Sequence, residues 1–251
     1  CSLNQIEKEV SDVMDLTIEF LNKFGFSDYE IYVSTKPKKY VGSDDEWESA
    51  TNSLKKSLDN KSLKYSIDDG GGAFYGPKID LKIKDVLGRL WQCSTVQVDF
   101  NLPKRFDLEY ISSNNQRLQP VMIHRAIFGS FERFFGILIE HYGGAFPTWL
   151  SPYQIRLLTV SDEQVDFANE VADNLKSNNL RVYLDLRNEK LGLKIRESEI
   201  SKVPFIGIIG NNESENKTIN IRRYGGEQIG EIKIDELVKL ICGDTSKEVV
   251  S

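Results

Sequence analysis

The chain has 251 residues, with 38 acidic against 32 basic side chains and a formal charge of −6. That length holds one large core or two small ones, and the acidic balance gives no global pull toward nucleic acid, so any RNA contact has to come from a local patch. No uninterrupted apolar run of about twenty residues spans a membrane, and no charged leader precedes an apolar segment. The scattered cysteines Cys1, Cys93 and Cys242 form no CxxC pair and predict a reduced, cytoplasmic protein.

The first predicted element is a helix over LNQIEKEVSDVMDLTIEFLNKFG, with Ile6, Val10, Val13, Met14 and Leu21 on one face. YEIYVST (29–35) reads as a strand. Ser43 with Glu46 three residues on is a capping box opening a helix that ends near Leu58. LKYSI, KIDLKIK and RLWQCSTVQVDF then read as strands of an antiparallel sheet. In KIDLKIK, Ile79, Leu81 and Ile83 share one face and Lys78, Asp80 and Lys82 the other. Gly70–Gly72 fits neither GxxxxGK[ST] nor GxGxxG, so it reads as a tight, close-approach turn presenting Tyr75 and Lys78.

PVMIHRAIFGSFERFFGIL (120–138) places His124 and Arg133 on either side of a strand-to-helix junction. Val121, Ile123 and the residues up to Ala126 form the strand; from Ser130 the apolar positions Phe131, Phe134, Phe135 and Leu138 take helical spacing. Arg133 therefore falls in the first turn, where exposed N–H groups, the helix dipole and a guanidinium together suit a polyphosphate. Taken singly, an arginine at a helix start is a surface residue and a histidine beside an apolar strand a satisfied core group.

The proline-rich stretch Phe146–Pro152 marks a domain junction. Strand QIRLLTV, helix 161–177, strand LRVYLDL, helix 188–200 and strand VPFIGIIG follow in a βαβ rhythm. TINIRRY and EQIGEIKI make a hairpin around Gly225 and Gly226, and DELVKLI closes the chain as a helix. The expected layout is α+β for residues 1–148 and a mixed, mainly parallel α/β sheet for 149–251.

HRAIFGSFERFFG resembles the third signature motif of class II aminoacyl-tRNA synthetases in the form carried by the threonyl-tRNA synthetase family. GAFYGPKIDL (72–81), WQCSTVQVDFNLP (91–103), FPTWLSP (146–152) and DLRNEKLGLKIRE (185–197) resemble the same family in the same order. The resemblance implies the antiparallel sheet of a class II catalytic domain, in its C-terminal portion, followed by an anticodon-binding domain. It also implies that the chain is a piece of a longer polypeptide, inactive in isolation and homodimeric when full length. The implied reaction is ATP-dependent activation of threonine to threonyl-adenylate, with magnesium, followed by transfer to threonine tRNA.

By the same resemblance Arg133 and Lys78 are catalytic. Tyr75, Lys78, Gln92, Thr95, Gln97, Ser130 and Arg133 bind ATP or threonine. Gln92 and Gln97 are five residues apart, so an ideal strand puts them on opposite faces, and joint use of both requires a break or bulge at Cys93 and Ser94. His124 corresponds to one of three zinc ligands, the other two lying outside this chain. Asn188, Arg196, Lys202, Glu213 and Arg222 are implied in anticodon contact, while Lys194 is expected near phosphates or solvent. The rival readings are a class II synthetase for another amino acid, against which His124 and GAFYGPK speak, and a non-catalytic RNA-binding or regulatory paralogue.

Overall fold

The computed structural model describes residues 1–250, with side chains through Thr245, as two compact units, Cys1–His141 and Tyr142–Ser251. Among these residues no helix is long and apolar enough to cross a membrane.

The first unit is built on a five-stranded sheet in the order β2-β1-β3-β4-β7. Its strands are β1 (Tyr29–Ser34), β2 (Ser66–Asp68), β3 (Lys78–Lys84), β4 (Leu90–Asp99) and β7 (Met122–Ala126); β5 (Tyr110–Ile111) and β6 (Arg117–Leu118) form a separate small hairpin. Ile31, Val33, Ile79, Leu81, Ile83, Val96 and Val98 are buried, and α1 (Ile6–Lys23) and α2 (Asp44–Asp59) pack against the strands that carry them. The helices meet where Ser57 Oγ donates to the Glu7 carbonyl, 3.0 Å away. The capping box is present as expected: Glu46 N–H donates to Ser43 Oγ at 3.2 Å and Ser43 N–H to Glu46 Oε2 at 2.8 Å. One expectation is corrected. The strand expected at LKYSI is confined to residues 66–68 and runs parallel, not antiparallel, to β1. The chain leaves α2 through a turn with Ser62 in the left-handed region, and residues 63–65 remain irregular, so pairing begins only at Ser66.

A short helix α3 (Asn101–Arg105) follows β4, and α4 (Phe131–Tyr142) follows β7. The start of α4 is anchored by aromatic packing: Phe134 meets Phe24 at 5.2 Å and Phe128 at 4.3 Å between ring centroids.

The second unit has a five-stranded sheet in the order β12-β11-β10-β8-β9. Strands β8 (Ile155–Thr159), β9 (Val182–Asp185) and β10 (Phe205–Ile209) are parallel; β11 (Thr218–Arg223) and β12 (Gln228–Lys233) add an antiparallel hairpin. Helices α5 (Val165–Ser177) and α8 (Ile234–Val250) contribute Phe167, Val171, Leu175, Leu237 and Ile241 to one core with Ile155, Leu157 and Phe205. Arg181 fastens the segment before β8 by donating to the carbonyls of Thr148, Trp149 and Ser151. Helix α6 (Leu191–Ile200) starts three residues later than the expected 188, because Lys190 is extended with ψ at 132°. Asn188 is thereby left in an exposed loop. A six-residue helix α7 (Asn211–Asn216) had no counterpart in the sequence reading.

Candidate active site

The polar face of the first sheet carries the candidate residues, and its register explains how they meet. Lys78 stands opposite Gln97, Asp80 opposite Thr95, and Lys82 opposite Gln92. The register shifts because Leu81 faces Ser94 and Cys93 is the extra residue of a β-bulge. The bulge required by the five-residue spacing of Gln92 and Gln97 is therefore there. Gly129, at φ +70°, packs against it so closely that a Cβ would lie 3.0 Å from the Cys93 carbonyl oxygen. Burial pushes the Cys93 thiol up to about 11, against a smaller downward pull from the Arg133 charge. It is no nucleophile at neutral pH.

Asp80, a residue the sequence reading did not single out, holds this face together. Its side chain is 3 % exposed and pairs with Lys78 Nζ at 2.7 Å. Gln92 Nε2 donates to Asp80 Oδ1 at 2.6 Å and Thr95 Oγ1 donates to the same oxygen at 2.7 Å, while Ser34 Oγ lies 3.3 Å from Oδ2. Three of the sequence-predicted residues thus converge on one carboxylate. The only sequence sign of it was the Lys-Asp-Lys alternation on the polar face of KIDLKIK.

Tyr75 and Gln97 form a second group. Tyr75 OH donates to Gln97 Oε1 at 3.0 Å, and Gln97 Nε2 donates to the Gly76 carbonyl at 3.2 Å. Gly76 admits no side chain, because a Cβ there would fall 1.7 Å from the Val98 carbonyl oxygen. His124 is the register partner of Gln97 and meets the Tyr75 ring edge-on at 6.4 Å. Its Nε2 lies 2.9 Å from Asp99 Oδ2.

Arg133 occupies the first turn of α4, exposed, as expected. Its Nη1 donates to the Gln92 carbonyl at 3.0 Å, and its guanidinium lies 5.9 Å from the Trp91 ring. Ser130 caps the helix: its Oγ accepts the Arg133 N–H at 3.2 Å. Trp91 is held in turn by its Nε1 donating to Asp85 Oδ2 at 2.8 Å. Burial pushes Asp85 up, but hydrogen bonds from Trp91, Arg89 and Leu87 outweigh it and hold the carboxyl at about 2.

In the second unit, Arg196 and Asn188 are exposed. Lys202 sits in the left-handed region at φ +53°, and its Nζ donates to the Gly143 carbonyl. Glu213 Oε2 accepts the Gly210 N–H at 3.0 Å and so caps α7. Arg222 pairs with Glu199 of α6 at 3.3 Å. Lys194 departs from its expected place near phosphates or solvent. It is buried at 1 % exposure, with Nζ donating to the carbonyls of Thr159 at 2.9 Å and Asp185 at 3.3 Å. A lysine among arginines and glutamates on a helix reads as solvated, yet the helix turns this position onto the ends of β8 and β9. The neighbouring Asp185 is held well below the usual carboxylate range by Arg187, against burial, with help from Arg156 at 2.6 Å.

Comparison with known families matches residues 1–142 to the class II tRNA synthetase core domain (G, H, P, S and T) and residues 154–242 to an anticodon-binding domain. The chain therefore belongs to the class II tRNA synthetases. Its curated relatives include threonine–tRNA ligases: the one from Sulfurihydrogenibium sp. is 50 % identical over 251 residues, all of this chain and 38 % of the relative. The chloroplastic/mitochondrial threonine–tRNA ligase 2 of Arabidopsis thaliana is 52 % identical over 242 residues, 96 % of this chain and 37 % of the relative. This chain thus spans well under half the length of those relatives. Among solved structures, the RNA binding domain of threonyl-tRNA synthetase from Cryptosporidium parvum superposes with a TM-score of 0.90 at 36 % identity, covering 97 % of this chain and 61 % of that one.

Proposed function

We propose that the chain serves threonine–tRNA ligation. Residues 1–148 act as the C-terminal portion of the catalytic domain and residues 149–251 as the anticodon-binding domain. The observation that carries this reading is the convergence of Lys78, Gln92 and Thr95 on buried Asp80, beside the Tyr75–Gln97 pair and Arg133. The names of the relatives supply the amino acid.

The residues divide the work by chemistry. Arg133, at a helix start, offers bidentate donors to the phosphates of ATP and stabilises charge developing on the α-phosphate as the threonine carboxylate attacks it. Magnesium accompanies the ATP. Lys78 presents a mobile point charge to the carboxylate or phosphate side, tethered by Asp80. Tyr75 and Gln97 orient the amino acid, and Gln92, Thr95 and Ser130 line the nucleotide side, so rate comes from alignment and charge stabilisation.

His124 fits one position of a zinc site, since a ligating imidazole commonly engages a carboxylate through its other nitrogen. Among the described residues no group of three His, Cys, Asp or Glu side chains could hold a metal, so the other ligands would lie outside them. His124 would hold such a zinc with ligands outside the described residues, and the metal would supply Lewis-acid binding to the amino and hydroxyl groups of threonine. Asn188 before α6, Arg196 on it, Lys202 just after it, Arg222 paired with its Glu199 and Glu213 on α7 are the candidates for anticodon contact. For Glu213 and Arg222 this requires surrendering a cap and an ion pair. The full-length protein would act as a cytoplasmic homodimer.

ATP–pyrophosphate exchange by the full-length protein with a panel of amino acids tests the reading. Threonine-dependent exchange is expected. Exchange dependent on proline, glycine or histidine instead, or none with any amino acid, would overturn it.

A further inference from the structure

Asp99 is the last residue of β4, and its side chain is completely buried. Both carboxylate oxygens are committed. Oδ1 accepts the backbone N–H groups of Asn101 at 2.8 Å and Leu102 at 3.1 Å, tying it to the start of α3. Oδ2 faces His124 Nε2 at 2.9 Å. The carboxylate cannot turn away without breaking two backbone bonds, and Gln97 and the Tyr75 ring flank the imidazole. A carboxylate only accepts hydrogen bonds, so the neutral imidazole must present its N–H at Nε2 and keep a lone pair on Nδ1. Nδ1 makes no hydrogen bond to any described residue.

From this geometry we infer that Asp99 is a positioning residue for His124: it selects the Nε2–H tautomer and makes Nδ1 the atom that donates to a divalent metal. The tautomer stands on the geometry alone, whereas the metal rests on the zinc reading of His124 given above. Both Asp99 oxygens are engaged by the chain itself, by the N–H groups of Asn101 and Leu102 and by His124. It acts through the ring, by fixing which nitrogen can bind and in which direction the lone pair points.

The 251-residue chain has only two histidines, His124 and His141, so its imidazole nitrogens can be read directly by ¹⁵N NMR, with His141→Gln assigning the signals. At about pH 8.5, above the ordinary imidazole range, His124 is expected in the Nε2–H form. Asp99→Asn keeps the cap on α3 through the amide oxygen but turns an NH₂ toward Nε2, and should convert His124 to the Nδ1–H form. A protein without substitution that shows the Nδ1–H form overturns the inference before any variant is made. So does a tautomer unchanged by Asp99→Asn.

In the full-length protein, zinc affinity measured by chelator competition should fall about 10–100-fold in Asp99→Asn. Zinc held as tightly by that variant as by the unsubstituted protein overturns the positioning role. If the full-length protein binds no zinc while His124 is Nε2–H, the zinc reading fails and the metal half of the inference fails with it. The two failures are therefore distinguishable.

Discussion

Asp80 and Gln92 are joined by a 2.6 Å hydrogen bond that exists only because β4 carries an extra residue at Cys93. Without the bulge the Gln92 side chain would lie on the face covered by helices, since a one-residue shift exchanges the two faces of a strand. The same extra residue leaves the Gln92 carbonyl within 3.0 Å of Arg133 Nη1, so one bulge links the start of α4 to the carboxylate beneath the polar face. Ser94 Oγ, donating to the Ile127 carbonyl, holds the bulge from the other side.

Removing Asp80 should therefore damage more than one contact. Asp80→Ala leaves Lys78 unpaired and takes the acceptor from Gln92 and Thr95. The chain should lose about 3 kcal/mol, the low end for breaking a buried ion pair because Lys78 keeps some solvent. Urea unfolding of the intact chain measures it. A loss well under 1 kcal/mol would show that water satisfies the stranded groups.

Much of this site was legible in the sequence, for a geometric reason. Side-chain parity along a strand is strict, so two glutamines five residues apart could serve one site only through an irregularity, and Cys93 supplies it. The convergence on Asp80 is not legible in the sequence, because alternation reports which face a residue occupies, not what crosses from the neighbouring strands to meet it. The parallel direction of the short strand β2 is not legible either, because parallel and antiparallel edges carry the same local pattern. Lys194 departs from the sequence expectation because a long stem can bury its length and still bring its ammonium to backbone carbonyls, which composition does not reveal.

Lys194 and Arg196 sit two residues apart on α6 and should respond oppositely. Lys194→Ala strands the carbonyls of Thr159 and Asp185 and removes a buried stem, at about 2–4 kcal/mol. Lys194→Met keeps most of the volume and should cost less. Arg196→Ala, on the exposed face, should leave stability within about 0.5 kcal/mol and instead weaken binding to the anticodon stem-loop of threonine tRNA. Thermal melting and stem-loop binding at fixed salt separate the two. Equal stability losses would refute the burial argument for Lys194.

Acid should act on both units through depressed carboxyls. Asp85, held at about 2, and Asp185, held well below the usual range by Arg187, both have folded values under the ordinary carboxylate value of about 3.9. Their stabilising contribution is therefore complete above that value and is lost as pH falls through the folded values. Arg187→Ala should bring Asp185 back up and make the second unit's stability less dependent on pH between about 4 and 2. Peptide-resolved amide exchange in the intact chain would report this. An unchanged slope in the second unit would mean that Arg156 alone keeps Asp185 ionised.

Arg133 offers the sharpest separation of structure from chemistry. Its neighbour Phe134, 7 % exposed, fixes the start of α4 by packing against Phe24 and Phe128, while Arg133 itself is exposed and contributes one hydrogen bond to the Gln92 carbonyl. Arg133→Ala should therefore change the stability of the chain by no more than about 1 kcal/mol. In the full-length protein the same change should lower ATP–pyrophosphate exchange by about 10²-fold or more, the scale of losing one preorganised donor to developing charge. Arg133→Lys keeps the charge but not a planar fork that can hold the Gln92 carbonyl and a phosphate together, so it should recover only part of the rate. Stem-loop binding should be unaffected in both variants. Exchange that survives Arg133→Ala while tRNA affinity collapses would remove the phosphate role from this helix start and give it to the RNA instead.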